Sequence, residues 1–187
     1  VSHITSLPNI LTLMRIMLIP VFIVVFYLPF DWAHALAAVI FALASVTDWL
    51  DGYLARKLEQ MSPFGAFLDP VADKLLVATS LLLLVGAKDL NYITLPAIII
   101  VGREIVISAL REWMAEVGSR ASVAVSYIGK VKTVMQMIAL VLLLALHPNT
   151  SWWGMIGFIL LYLSAILTIW SMTVYLMIAW PSLTKKN

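Results

Sequence analysis

Six apolar stretches, Leu11–Leu28, Ala33–Trp49, Lys74–Ala87, Tyr92–Leu110, Val131–Leu146 and Trp152–Trp180, fill most of the 187-residue chain. This pattern constrains the fold more than any other feature, because a helix that crosses the hydrocarbon of a bilayer needs about 20 apolar residues. The third stretch reaches that length only if Asp69 to Asp73 continue it as helix, and the last is long enough to tilt or to project from the membrane. Pro29, Lys88–Asp89 and Pro148–Asn149 fall between stretches as short turns, the connection expected between antiparallel neighbours in a helical bundle. Charged residues are 12% of the chain against about a quarter in a soluble domain. No repeat, low-complexity tract or soluble segment interrupts the pattern. The expectation is an all-α, polytopic membrane protein, a bundle of six transmembrane helices forming a single membrane domain over residues 1–187.

The run Ile16 to Leu28 has neither a basic segment before it nor a small-residue cleavage site after it, so it reads as a retained span rather than a secretory signal. Cysteine is absent, which excludes disulfides and thiolate-bound metal. His3, His34 and His147 are far apart in sequence and do not suggest a histidine metal site. The basic residues are asymmetric. Arg56, Lys57, Arg120, Lys130, Lys185 and Lys186 fall on one side of a six-span topology, and Lys88 is the only Lys or Arg in an opposite-side loop. The positive-inside rule then places both termini and the loop after the second stretch in the cytoplasm. Trp152, Trp153, Trp180 and Tyr92 lie near span ends, where interfacial aromatics belong.

The chemistry is concentrated in Asp48-Trp-Leu-Asp51-Gly52-Tyr-Leu-Ala55-Arg56 and Gly65-Ala-Phe-Leu-Asp69-Pro-Val-Ala-Asp73. On helices, acids three or four apart share a face. Two antiparallel helices meeting here bring four carboxylates together, and in a medium of low dielectric these repel strongly unless cations lie among them. Oxygen-only ligation favours a hard ion such as Mg2+ or Mn2+. Gly52 removes a side chain where a substrate or backbone must approach, and Arg56 can pair with a phosphate oxygen. One acid pair at a span end is commonly just solvated; four at one interface, in a chain with ten acids, are not explained that way. An ion pathway is the other reading of intramembrane acids, and the glycine and arginine spacing argues against it.

The pattern Asp48-xx-Asp51-Gly52-xx-Ala55-Arg56, eight residues, Gly65-xxx-Asp69-xxx-Asp73 resembles the signature of the CDP-alcohol phosphotransferases at every fixed position. The resemblance implies a six-helix membrane bundle, a homodimer, with two Mg2+ or Mn2+ ions open to the cytoplasm. It implies that Asp48, Asp51 and Asp69 bind metal, that Asp73 is the general base and also touches metal, and that Gly52, Arg56, Ser62 and Gly65 belong to the CDP-lipid site. The substrate so implied is CDP-diacylglycerol, the setting a bacterial inner membrane and its lipid; no nucleic-acid partner is expected.

Further polar residues interrupt the apolar stretches. Asn9, Thr12 and Arg15 are spaced by three and share a face. An interfacial amphipathic segment would show the same spacing; the resemblance implies instead that this Pro8-Asn9, Thr12 and Arg15 pattern helps bind the nucleotide, with Asn9 and Thr12 as the CDP-lipid contacts. Arg103 and Arg111 are eight apart, close to two helical turns, and so share a face. Arginine in an apolar stretch must be paired or face a wet cavity, so Gly102-Arg103-Glu104 with Arg111-Glu112 reads either as a pair of internal salt bridges or as a pocket for an anionic acceptor. Glu104, adjacent in sequence, is expected to point elsewhere. Lys130 can snorkel, whereas Lys132 can point inward. Arg103, Arg111 and Lys132 would suit an acceptor bearing a phosphate, which carries about two negative charges near neutral pH. The runs Arg103–Trp113 and Gly129–Thr133 resemble members of the family that use glycerol 3-phosphate as acceptor. Inositol phosphate and phosphatidylglycerol are the alternative acceptors, and a divalent-cation channel or transporter is the alternative of another class.

Overall fold

The computed structural model describes residues 7–57, 63–87, 90–116, 127–146 and 149–184. Those residues form six α-helices: α1 Leu7–Phe26, α2 Ala33–Lys57, α3 Pro63–Gly86, α4 Thr94–Glu116, α5 Tyr127–Ala145 and α6 Trp152–Thr184, with one 3-10 turn at Asn91–Ile93 ahead of α4. Among the described residues there is no strand. The all-α expectation therefore holds, and the acid motif is helical on both sides of its loop.

The helices outrun the apolar stretches at the charged end. α2 continues to Lys57, beyond the apolar stretch that ends at Trp49, and α3 starts at Pro63, ahead even of the Asp69–Asp73 extension expected for the third stretch. Hydropathy marks the part of a helix suited to lipid, while the backbone ladder continues wherever its hydrogen bonds can. The same distinction bears on the six-span expectation. Among the described residues, two helices hold an apolar window long enough to cross a membrane, Asn9–Phe26 and Trp152–Trp180, and Ala33–Asp48 is a shorter one. In α3 and α4 the acids and bases Asp69, Asp73, Lys74, Arg103, Glu104, Arg111 and Glu112 break the run.

α1 packs on α2 and α3, α2 on α5, α5 on α6, and α6 on α4, with a sparser contact between α4 and α3 that closes the ring. The core is aliphatic and aromatic: Phe22 and Phe41 meet at 6.2 Å between ring centroids, with Leu81, Leu84, Ile100, Leu140, Leu144 and Leu161 around them. Ala37, Ala38, Ala44, Ala139 and Ala165 are buried in the same cluster, where small side chains let helix backbones approach. Buried Ser80, Ser164 and Thr168 satisfy themselves by donating to carbonyls of Val77, Leu161 and Ser164, at 2.8, 2.8 and 2.6 Å. A smaller cluster of Ile107, Leu110, Met114, Tyr175 and Ala179 joins α4 to α6.

The outer surface is also apolar. Met17, Leu43, Leu82, Ile98, Val134, Trp170 and Met177, spread over all six helices, are exposed. Exposed apolar surface on this scale requires an apolar solvent or partner, so the bundle associates with a membrane.

Candidate active site

The charged ends of α1 to α5 meet at one end of the bundle. α1 supplies a buried polar edge there: Asn9, Thr12 and Arg15 are 2%, 0% and 1% exposed. Their spacing of three had put them on one face, and that face turns inward onto the acids. Thr12 Oγ1 donates to Asp69 Oδ1 of α3 at 2.5 Å. Arg15 donates through a terminal guanidinium nitrogen to Asp48 Oδ1 of α2, an ion pair. The guanidinium is 1% exposed while the carboxylate is 39% exposed, so a buried cation anchors an acid that still reaches outward. Asp73 lies one turn beyond Asp69 on α3, within electrostatic reach of Asp48, Glu104, Arg15 and Lys74.

These contacts converge the α2 and α3 acids on a single helix edge. Each carboxylate offers about four lone-pair positions, so the single bonds from Thr12 and Arg15 leave acceptor capacity on Asp69 and Asp48. The partly exposed oxygen donors are of the kind that hard divalent cations take. Among the described residues, no group of three acidic or histidine side chains is gathered as a metal cluster. Asp51, Gly52 and Arg56 lie along α2, but their side chains are outside the described residues, as is Ser62 altogether. Gly65 is buried in the first turn of α3.

Around the acids lies a group of cations. Lys132 of α5 is 5% exposed, as its inward orientation required. Its Nζ is 3.8 Å from Glu104 Oε1, and an Arg103 guanidinium nitrogen donates to the same oxygen at 2.8 Å. Glu104 therefore does not point away from Arg103, contrary to the expectation from adjacency. Long side chains on consecutive helix positions can curl toward each other when a third partner, here Lys132, holds the acid between them. Arg103 Nε is buried without a hydrogen-bond partner among the described residues. Lys74 Nζ donates to Ser108 Oγ at 2.5 Å, and Ser108 donates to the Glu104 carbonyl at 2.5 Å, linking α3 to α4. Arg111 is exposed two turns further along α4, its guanidinium carbon 5.8 Å from the Tyr175 ring centroid. Arg103 and Lys132 thus share one cluster, whereas Arg111 packs against α6.

Gln136 was not singled out from the sequence, and neither were two partners: Asp48 for Arg15, which had been expected at the nucleotide, and Lys132 for Glu104. Gln136 follows Lys132 by four positions and is likewise 5% exposed. Its spacing from Lys132 was the available signal.

Carboxylates from two helices thus lie against one polar edge of α1, bordered by the half-buried Arg103 and the buried Lys132. Residues 5–170 match the family model described as CDP-alcohol phosphatidyltransferase, and the chain belongs to that family. Within it, a relative from Pseudomonas fluorescens is 54% identical over 179 residues, covering 95% of this chain and 92% of its own. Relatives from Salmonella paratyphi A and Shigella flexneri serotype 5b are 56% and 55% identical over 171 residues, each covering 91% of this chain and 93% of their own. All three are named CDP-diacylglycerol–glycerol-3-phosphate 3-phosphatidyltransferase.

Proposed function

We propose that this protein transfers the phosphatidyl group of CDP-diacylglycerol to glycerol 3-phosphate, releasing CMP. The observation that carries the reading is the tethering of Asp48 and Asp69 to Arg15 and Thr12 of α1, with Asp73 between those acids and the Lys132–Glu104–Arg103 cluster. Nucleophile activation and anion binding then lie side by side. The relatives' names supply the substrates.

Asp48, Asp51, Asp69 and Asp73 would hold two Mg2+ or Mn2+ ions, which when bound neutralise the diphosphate and stabilise entering and leaving oxygens. Asn9, Thr12, Gly52, Arg56, Ser62 and Gly65 bind the CDP-lipid. Arg103 and Lys132 attract the phosphate of the acceptor, and the unpartnered Arg103 Nε is the donor such an anion would satisfy. Arg111 contributes from further along α4. Asp73 accepts the proton of the attacking hydroxyl. The hydroxyl oxygen bonds to the phosphorus that carries diacylglycerol, the bond from that phosphorus to the bridging oxygen breaks, and CMP leaves with the electron pair. Six crossings of a bacterial inner membrane by a single domain, with termini and site on the cytoplasmic face, suit the basic-residue asymmetry; a homodimer is part of the same reading.

The test is CMP release by purified protein in detergent micelles containing CDP-diacylglycerol. Release is expected to require both a divalent cation and glycerol 3-phosphate, and to stop on chelation. Release with inositol phosphate or phosphatidylglycerol in place of glycerol 3-phosphate would change the acceptor. Divalent-cation flux in liposomes with no CMP formed would replace the enzyme by a channel.

A further inference from the structure

Where α3, α4 and α5 meet, a cavity of about 50 Å³ is lined by Asp73, Lys74, Glu104, Lys132, Thr133 and Gln136, together with Val77 and Met137. Most of its polar groups have occupations already. Lys74 is held by Ser108, Lys132 by Glu104, and Thr133 donates to the Gly129 carbonyl at 2.9 Å. Gln136 is different: it is 5% exposed, yet no hydrogen bond engages its carboxamide among the described residues. Its amide is not among the buried side-chain atoms that lack a partner, so it opens on the cavity that it lines beside Asp73 and is available to a group bound there.

The chemistry of the partner follows from the group itself. A carboxamide donates and accepts at once, which suits an alcohol hydroxyl, also both donor and acceptor. A phosphate only accepts, and the cations next door serve it better. The volume admits a small hydroxyl-bearing group and not a whole substrate, since one water's share of liquid is about 30 Å³. The cavity also contains Asp73, so a hydroxyl there is adjacent to the one being deprotonated. In an acceptor with phosphate at one end and the attacking hydroxyl at the other, the middle hydroxyl is left over.

We propose that Gln136 binds the non-reacting hydroxyl of the acceptor and so selects a polyol phosphate over its deoxy counterpart. This rests on the transferase reading above and adds a specificity-determining residue to it.

The experiment compares kcat/KM for glycerol 3-phosphate and for 3-hydroxypropyl phosphate, which lacks the middle hydroxyl, using the purified full-length protein with CDP-diacylglycerol. A site built to bind a hydroxyl discriminates strongly against the analogue without it, so the unmodified protein is expected to favour glycerol 3-phosphate by about tenfold or more. Gln136→Met, similar in length and unable to make the bond, is expected to bring the two within about twofold by losing the glycerol 3-phosphate rate, with the KM for CDP-diacylglycerol retained. Gln136→Asn, which withdraws the amide by one methylene and stays polar, is measured in parallel and is expected to weaken the preference. Equal kcat/KM values in the unmodified protein overturn the proposal without any variant. An undiminished preference in either variant overturns it while leaving the acceptor assignment standing. CMP release with neither acceptor overturns the transferase reading and this proposal with it.

Discussion

Thr12→Val removes one hydroxyl from a fully buried position and keeps the shape of the side chain. In the structure that hydroxyl donates to Asp69 Oδ1 at 2.5 Å, and Thr12 is 0% exposed. A hydrogen bond to a charged group contributes about 1.5–3 kcal/mol. Asp69 is only partly buried, so water can replace some of the lost bond, and the low end of that range applies. At about 1.4 kcal/mol per factor of ten, turnover should fall about tenfold, and no more than about a hundredfold. Folding should change little, because valine fills the same space. Thr12→Ser is the matched control: it keeps the donor and loses one methyl, roughly 0.8 kcal/mol of burial, so its rate should stay within about threefold of the unmodified protein. The assay is initial CMP release at several Mg2+ concentrations, alongside a thermal melt in detergent. If Thr12 orients Asp69, Thr12→Val shifts the Mg2+ dependence or kcat with its melting temperature retained. A Thr12→Val enzyme as fast as Thr12→Ser at every Mg2+ concentration would refute the orienting role.

Three further outcomes are expected. Asp73→Asn should fold in the membrane yet lose about 10²–10⁴-fold in turnover, the usual contribution of a general base; CMP release close to the unmodified rate would take the base role away from Asp73. Arg111→Ala should raise the KM for glycerol 3-phosphate by about tenfold, with little change for CDP-diacylglycerol. Equal changes in both constants would mean that the Tyr175 contact, and not the acceptor, is what Arg111 serves. Gly157→Ala should destabilise the α5–α6 contact by about 1–3 kcal/mol, because an added Cβ would lie 2.8 Å from Leu142 Cβ and 3.2 Å from the Ala139 carbonyl oxygen. A detergent melt with an unchanged midpoint would show that the helices separate at no cost.

What could be read along the chain was whatever repeats within one helix or declares itself by residue type. The apolar stretches led to six helices; charges break the run in α3 and α4, and among the described residues two helices, α1 and α6, hold a membrane-length apolar window. The spacing of Asn9, Thr12 and Arg15 correctly put them on one face, and the acid spacings put Asp48 and Asp69 on helices that carry them to a common end. The inward course of Lys132 was legible for the same reason.

The partners were decided by tertiary structure. Thr12 meets Asp69 across 57 positions and Arg15 meets Asp48 across 33, and neither pairing follows from periodicity, which specifies a face but not what it faces. That depends on how far each helix is rotated and slid against its neighbours, and packing of Phe22, Phe41, Leu81 and Leu140 in the shared core sets both. Glu104 makes the same case in reverse. Adjacency to Arg103 suggested divergence, yet Lys132 arriving from α5 gives the acid a reason to turn back. Gln136 carries no mark in sequence beyond its distance from Lys132; its burial beside Asp73 exists only once three helices have closed around it.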